Sequence, residues 1–299
     1  MTYTKPGLQA TLFFKRTKKL KQQTFEKEIE LKGVGLHSGL ENVMKVKPAP
    51  VNTGIVFLQN GEQIRALYSA VNDTRNCTCL KGKEAFVSTI EHVMAGLYAL
   101  GIDNACIEVL HPELPIMDGS ADILLKELSK GGIQTQNENR KYLRVLKPVR
   151  FCDDKGNFVE LKPTKEDKLH IYFKIEFPSK IVGTQVFDKD ITFDVFRKEI
   201  APARTFCEKY QVDYLKSVGL IKGGSLENAV VLDGENILNP EGFRVQNECV
   251  NHKVLDLIGD LYTSGFFIYA DVQAYRTGHF HNNEVLKKLF EDKENYEIV

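Results

Sequence analysis

The chain has 299 residues, 42% hydrophobic and 27% charged, with 40 basic residues against 40 acidic ones. This is about twice the usual domain length and holds enough apolar material for two cores, which excludes a disordered chain; the balanced charge argues against a general nucleic-acid binder. No apolar run approaches the roughly 20 residues that span a bilayer, and six cysteines without a paired C-x-x-C set point to reduced thiols rather than a disulfide framework.

Residues 1–21 read as a basic, flexible leader. Lys5, Lys15, Arg16, Lys18, Lys19 and Lys21 occur there with no acid. A solvated arm is the plainer reading, with an organellar transit peptide or a contact to an anionic membrane as the alternatives; the apolar core of a secretory signal is missing.

An N-terminal domain is expected over residues 22–135. Residues 23–60 alternate apolar and polar positions, broken by Gly33, Gly35, Gly39 and Pro48-Ala49-Pro50, as in the hairpins of an antiparallel sheet. Within Cys77-Thr78-Cys79, the two sulfurs are not expected to converge on a shared metal ion. From Ser88, Ile90, Val93, Met94, Leu97 and Leu100 recur at helical spacing until Gly101. A strand at Ala105–Val109 follows, then a helix opened by Met117-Asp118-Gly119-Ser120 and running to Leu128. The stretch from Gln134 to Lys141 lacks periodicity and reads as a linker.

The second domain, residues 136–299, predicts strands around Tyr142–Val149, Phe158–Lys162, Leu169–Phe177 and Gln185–Asp194, then a helix near Gln211–Val218 and a strand at Ala229–Leu232. A longer helix spans Cys249 to Tyr262, followed by a strand at Ile268–Tyr275, the turn Thr277-Gly278-His279 and a terminal helix from Asn283. Each half is sheet plus helices, an α+β arrangement.

Three features carry chemistry. Glu91-His92 stands in the opening turn of the first long helix, where neighbouring side chains diverge by about 100° and can serve different roles at one site. Ser88-Thr89-Ile90-Glu91 also fits a capping box, in which Glu91 only satisfies the helix start. His252 and Asp256, at i and i+4, share a helical face and can grip one ion, and Asp260 extends that face by a turn. With one further histidine they would give the three protein ligands of a catalytic zinc site; a mixed nitrogen and oxygen set also suits iron or cobalt. His279 follows a strand end in Arg276-Thr277-Gly278-His279, where functional side chains are often exposed, with His281 as an alternative.

Taken together, Gly33-Val34-Gly35-Leu36-His37-Ser38-Gly39, Cys77-Thr78-Cys79-Leu80, Ser88-Thr89-Ile90-Glu91-His92, Gly101-Ile102-Asp103-Asn104, Pro115-Ile116-Met117-Asp118-Gly119-Ser120, Ala203-Arg204-Thr205-Phe206, His252-Lys253-Val254-Leu255-Asp256 with Gly259-Asp260, and Gly278-His279 resemble the UDP-3-O-acyl-N-acetylglucosamine deacetylases, over about residues 22 to 297. The resemblance implies two α+β sandwiches with zinc (Zn2+) in the cleft between them, and removal of the N-acetyl group from an acylated UDP-sugar in the committed step of lipid A biosynthesis.

It implies His92, His252 and Asp256 as metal ligands and Glu91 as general base toward a metal-activated water. Thr205 and Lys253 are expected beside the attacked acetyl group, His279 is implied as general acid, and Asp260 as the carboxylate that keeps it cationic and oriented. An apolar acyl passage is expected from Phe206, Val212, Ile221, Ala229 and Val231, with Lys209 at a position that is more often apolar. Phe177 is expected to pack on the uracil and Arg276 to meet the diphosphate. No fused dehydratase segment is recognised, so a single activity is expected, from a cytoplasmic monomer without nucleic-acid partners; peripheral membrane contact is left open. The competing expectations are a protein in which a metal only stabilises the cleft, and a zinc amidohydrolase for another acylated sugar nucleotide.

Overall fold

Period-two burial builds the sheets in both halves. In the computed structural model, which describes residues 20–299, the first half runs β1 (Lys21–Phe25), β2 (Ile29–Val34), β3 (Glu41–Pro48), β4 (Ile55–Gln59), β5 (Glu62–Arg65), β6 (Val71–Asp73), β7 (Cys79–Lys81), β8 (Phe86–Ser88), α1 (Glu91–Leu100), β9 (Ala105–Val109), α2 (Asp122–Ser129) and β10 (Ile133–Asn139). All but the last two positions of the basic leader lie outside the described residues. One sheet has the order β2-β3-β9-β4-β5, antiparallel throughout except for the β4–β9 pair. On β3, Asn42, Met44 and Val46 turn inward while the residues between them stay partly exposed. Helix α1 has no broad polar face, because it is packed between α2 and a helix of the second half. Gly101 ends it in the left-handed conformation, φ +69°, which only glycine adopts without strain from a β-carbon.

The second half runs β11 (Tyr142–Val145), β12 (Val149–Cys152), β13 (Phe158–Lys162), β14 (Leu169–Glu176), β15 (Thr184–Asp190), a single turn α3 (Phe193–Val195) that passes into a π-helical turn at Phe196–Ile200, β16 (Phe206–Glu208), α4 (Lys209–Ser217), β17 (Val230–Asp233), β18 (Asn236–Ile237), α5 (Glu248–Tyr262), β19 (Phe267–Tyr275), α6 (His279–Glu291) and β20 (Tyr296–Ile298). Strand β19 organises the large sheet, pairing antiparallel with β13 and parallel with β11 and β14. Along β14, Leu169, Ile171, Phe173 and Ile175 are buried in strict alternation. Helices α5 and α6 pack against this sheet, so both halves have the expected α+β organisation. Strands β16, β17 and β18 form a separate leaf with α4 on its flank, and no residue of α4 is buried.

Two expectations fail for identifiable reasons. The stretch from Gln134 to Lys141 is largely strand: β10 pairs antiparallel with β1, its backbone satisfied while its side chains stay almost wholly in solvent, so it carries no apolar pattern to read. An expected boundary after residue 135 therefore falls inside a strand. The terminal helix begins at His279 rather than near Asn283, with Gly278 as its N-cap, so His279 occupies a first helical turn and not a loop.

The two halves meet where α1 crosses α5. A β-carbon added at Gly259 would overlap the Glu91 carbonyl oxygen, so this crossing distance requires glycine. Gly259→Ala is therefore expected to lower stability in urea unfolding by about 1–3 kcal/mol through overpacking, although alanine is the better helix former. Stability equal to or above wild type would contradict this account of the crossing.

Candidate metal centre

Helix α1 presents His92 and α5 presents His252 and Asp256, all buried, with one donor atom from each lying within 4.8 Å of the others. The imidazole Nε2 atoms of His92 and His252 stand 3.7 and 3.4 Å from Asp256 Oδ1. His252 donates its Nδ1 proton to the Ala203 carbonyl at 3.1 Å, which leaves Nε2 as the lone-pair nitrogen. Lys253 donates to Asp256 Oδ2 at 2.9 Å and leaves Oδ1 turned toward the two rings.

Burial lowers the pKa of both imidazoles, that of His92 to about 3, and keeps them neutral. Burial works against the Asp256 charge too, but Lys253 and the surrounding histidines outweigh it and hold this carboxyl below the usual range. His92 Nδ1 has no hydrogen-bond partner among the described residues, so no side chain competes for that ring. Two neutral imidazoles and a carboxylate converging on one point form a donor set that fits a divalent transition metal.

Next to this set lie two groups suited to moving protons. Glu91 is 3% exposed, and burial raises its pKa well above the usual carboxylate range. Its Oε2 accepts the Thr78 N–H at 3.0 Å. The capping box is not formed: Ser88 belongs to β8, the helix N-cap is Ile90, and Glu91 reaches away from the helix start. His279 donates from Nδ1 to Asp260 Oδ2 at 2.8 Å. Burial opposes its charge, but Asp260 outweighs it and the imidazole is pushed up to about 10. Asp260 also accepts from Thr78 Oγ1 at 2.5 Å and Asn282 Nδ2 at 2.8 Å, so three donors fix its plane.

A cavity of about 870 Å3 opens beside these groups. Thr205, Lys253 and His279 line its inner end, and Phe206, Val212, Ile221, Ala229 and Val231 its apolar wall. Arg276 lines it as well, from an exposed position with φ +53°. Lys209 is on the wall but bonded to Asp233 at 2.7 Å, so its charge is met outside the apolar interior. Phe177 is not among the lining residues; it packs edge-on against the Phe206 ring at 5.4 Å, because β14 ends just before it and its side chain turns behind Phe206. His281, the alternative acid, is bonded to Asp153 at 3.1 Å, whereas the Asp260 carboxylate is bonded to His279.

Several supporting residues were not singled out from the sequence. Arg204 is wholly buried and bonded from Nε to Glu248 Oε1 at 2.8 Å, to Glu241, and from a terminal nitrogen to the Gly242 carbonyl at 2.6 Å, which ties the segment carrying Thr205 to the start of α5. Glu113 accepts the N–H groups of His37 and Ser38, both at 2.7 Å, and fixes the glycine-rich loop at the cavity edge. The motif residues were visible, but their long-range partners are specified only by the fold. The expectation that the two sulfurs do not converge fails as well: Cys77 and Cys79 stand at i and i+2, positions that share a face in extended chain, and their sulfurs are 3.5 Å apart.

A buried two-histidine, one-aspartate donor set with a carboxylate and a cationic imidazole at the end of an apolar cavity is the arrangement of a metal-dependent hydrolase. Residues 22–291 match the family described as UDP-3-O-acyl N-acetylglycosamine deacetylase. The chain is 42% identical over 287 residues to the UDP-3-O-acyl-N-acetylglucosamine deacetylase of Histophilus somni, covering 94% of this chain and 93% of that one. It is 43% identical over 285 residues to the enzyme of the same name from Shewanella oneidensis, covering 93% and 92%. The chain belongs to the UDP-3-O-acyl N-acetylglycosamine deacetylase family.

His92→Ala removes one of three donors and is expected to reduce the metal retained after gel filtration from near one equivalent to a small fraction, read by elemental analysis. Full retention would mean that the ion is held elsewhere.

Proposed function

We propose that this chain removes the N-acetyl group from UDP-3-O-((R)-3-hydroxyacyl)-N-acetylglucosamine, releasing acetate and the free amine in the committed step of lipid A biosynthesis. The observation that carries the reading is the juxtaposition of Glu91 and the Asp260–His279 pair with the buried His92, His252 and Asp256 donors at the end of an apolar cavity. Zinc is the ion proposed for those three donors; when bound it supplies Lewis acidity and lowers the pKa of water toward ~7.

The protein's own groups divide the remaining work. Glu91 is positioned to take a proton from the attacking water, and burial raises its pKa, which makes its carboxylate the stronger base. Water oxygen bonds to the acetyl carbon, and the Thr205 hydroxyl donates to the oxyanion that develops there. Lys253 adds positive charge on the same side. His279, held cationic by Asp260, gives its proton to the sugar nitrogen as the C–N bond breaks, so the amine does not leave as an anion.

The lining residues Phe206, Val212, Ile221, Ala229 and Val231 are proposed to hold the acyl chain, and Arg276 to meet the diphosphate. Phe177, which packs against the Phe206 ring, is proposed to support that wall of the cavity. The two units meeting near β10 are proposed as separate domains around the substrate. No described helix is long and apolar enough to cross a membrane; action as a monomer in the cytoplasm is a further proposal.

Glu91→Ala is expected to keep its metal and lose about 10²–10⁴ of the acetate-release rate, the usual range for a removed general base. A metal-replete variant with wild-type activity would exclude Glu91 as the base. The pH profile tests the acid. His279 acts in its protonated form, so activity falls as pH rises through its pKa; in Asp260→Asn the largest raising charge is gone while burial still lowers the pKa, and the alkaline limb of kcat/KM should move to lower pH. An unmoved limb would remove His279 from that role.

A further inference from the structure

Glu91 and Asp260 come from different helices, one in each half of the chain, yet a single residue bonds to both. Thr78 is 2% exposed. Its N–H donates to Glu91 Oε2 at 3.0 Å and its hydroxyl to Asp260 Oδ1 at 2.5 Å. Its carbonyl accepts the Ile90 N–H at 3.4 Å, immediately before α1, so the residue is anchored to the helix that carries the base. Buried Cys77 and Cys79 flank it, and Thr78 is not among the residues lining the cavity.

The partition of bonds on Asp260 gives the hydroxyl a distinct task. His279 and Asn282 both donate to Oδ2, whereas Thr78 Oγ1 is the side-chain donor to Oδ1 among the described residues. Contacts at one oxygen alone leave a carboxylate free to turn about its Cβ–Cγ bond; a donor at the other oxygen sets the plane in which the His279 imidazole must lie. Because the same residue's N–H holds Glu91, the spacing between proton acceptor and proton donor is set through one peptide unit and one hydroxyl.

We propose that Thr78 is a positioning residue for the deacetylation, holding Glu91 and the Asp260–His279 pair in fixed register across α1 and α5. This rests on the reading of Glu91 as base and His279 as acid. Thr78 touches the reacting groups only through those two carboxylates, so its loss acts on turnover and not on substrate binding.

The test is steady-state acetate release by the metal-loaded, full-length protein from the acylated UDP-N-acetylglucosamine, with bound metal measured on every variant. Thr78→Val keeps the branched shape and removes the hydroxyl; kcat is expected to fall about 10–100-fold, the usual effect of removing a supporting hydrogen bond at a metal site, while KM stays within about 3-fold and metal content is unchanged. Thr78→Ser restores the hydroxyl and should recover kcat to within about 3-fold of wild type. In a His279→Ala background the Thr78→Val loss should shrink to less than about 3-fold, because the group being oriented is absent. Should Thr78→Val fail to fold, Thr78→Ala takes its place in each comparison.

Wild-type kcat in the hydroxyl-free variant, a serine variant as slow as the valine one, or a loss that multiplies in full with His279→Ala would overturn the proposal. A wild type that releases no acetate would overturn the deacetylase reading and this proposal with it. An active wild type with indifferent Thr78 variants would overturn this proposal alone.

Discussion

The contact of Gly259 with the Glu91 carbonyl is the constraint on which the site depends. It lets α5 approach α1 at backbone distance, and only at that distance do His92 from one half and His252 and Asp256 from the other reach a common point. The same crossing sets Asp260 one turn beyond Asp256, within reach of His279 at the start of α6. Two sheets, each with its own apolar alternation, act as platforms that fix the ends of these helices. The buried Arg204–Glu248 pair serves the same end at the start of α5, and removing one partner there would strand a charge in the interior at a cost of about 3–5 kcal/mol.

Burial has opposite consequences on either side of the crossing, because neighbouring charges differ. His92 and His252 face the Asp256 carboxylate, but burial outweighs it and they stay neutral, the state a metal ligand needs. His279 is as deeply placed but faces Asp260, and it keeps its proton. Glu91 has lost its solvent and gained a single N–H from the backbone of Thr78, so its basicity rises. One buried cluster thus holds two neutral imidazoles, a carboxyl of raised pKa and a cationic imidazole, and the hydrogen bond to Asp260 chiefly sets His279 apart from the other two histidines.

Much of this was legible in the sequence wherever the signal was local. The i, i+4 spacing of His252 and Asp256, the Glu91-His92 dipeptide at a helix start and the alternation along β14 each follow from the periodicity of one element. What failed depended on partners distant in the chain. The polar run of β10 is a strand only because β1 pairs with it, and Ser88-x-x-Glu91 satisfies a cap pattern but is drawn into a strand and a buried cluster instead. The convergence of Cys77 and Cys79 is the exception, because their i, i+2 spacing in extended chain already puts both sulfurs on one face. The bonds of Thr78 to two helices, and of Arg204 to Glu248, span separations that no motif encodes.

The central claim is that one ion is held by His92, His252 and Asp256 and not by the neighbouring thiols. X-ray absorption spectroscopy of the zinc-loaded protein tests it most directly. The account predicts a first shell of only nitrogen and oxygen scatterers at about 2.0–2.2 Å, with the outer-shell pattern of two imidazoles. A sulfur scatterer at about 2.3 Å would place the metal on Cys77 or Cys79 and contradict it.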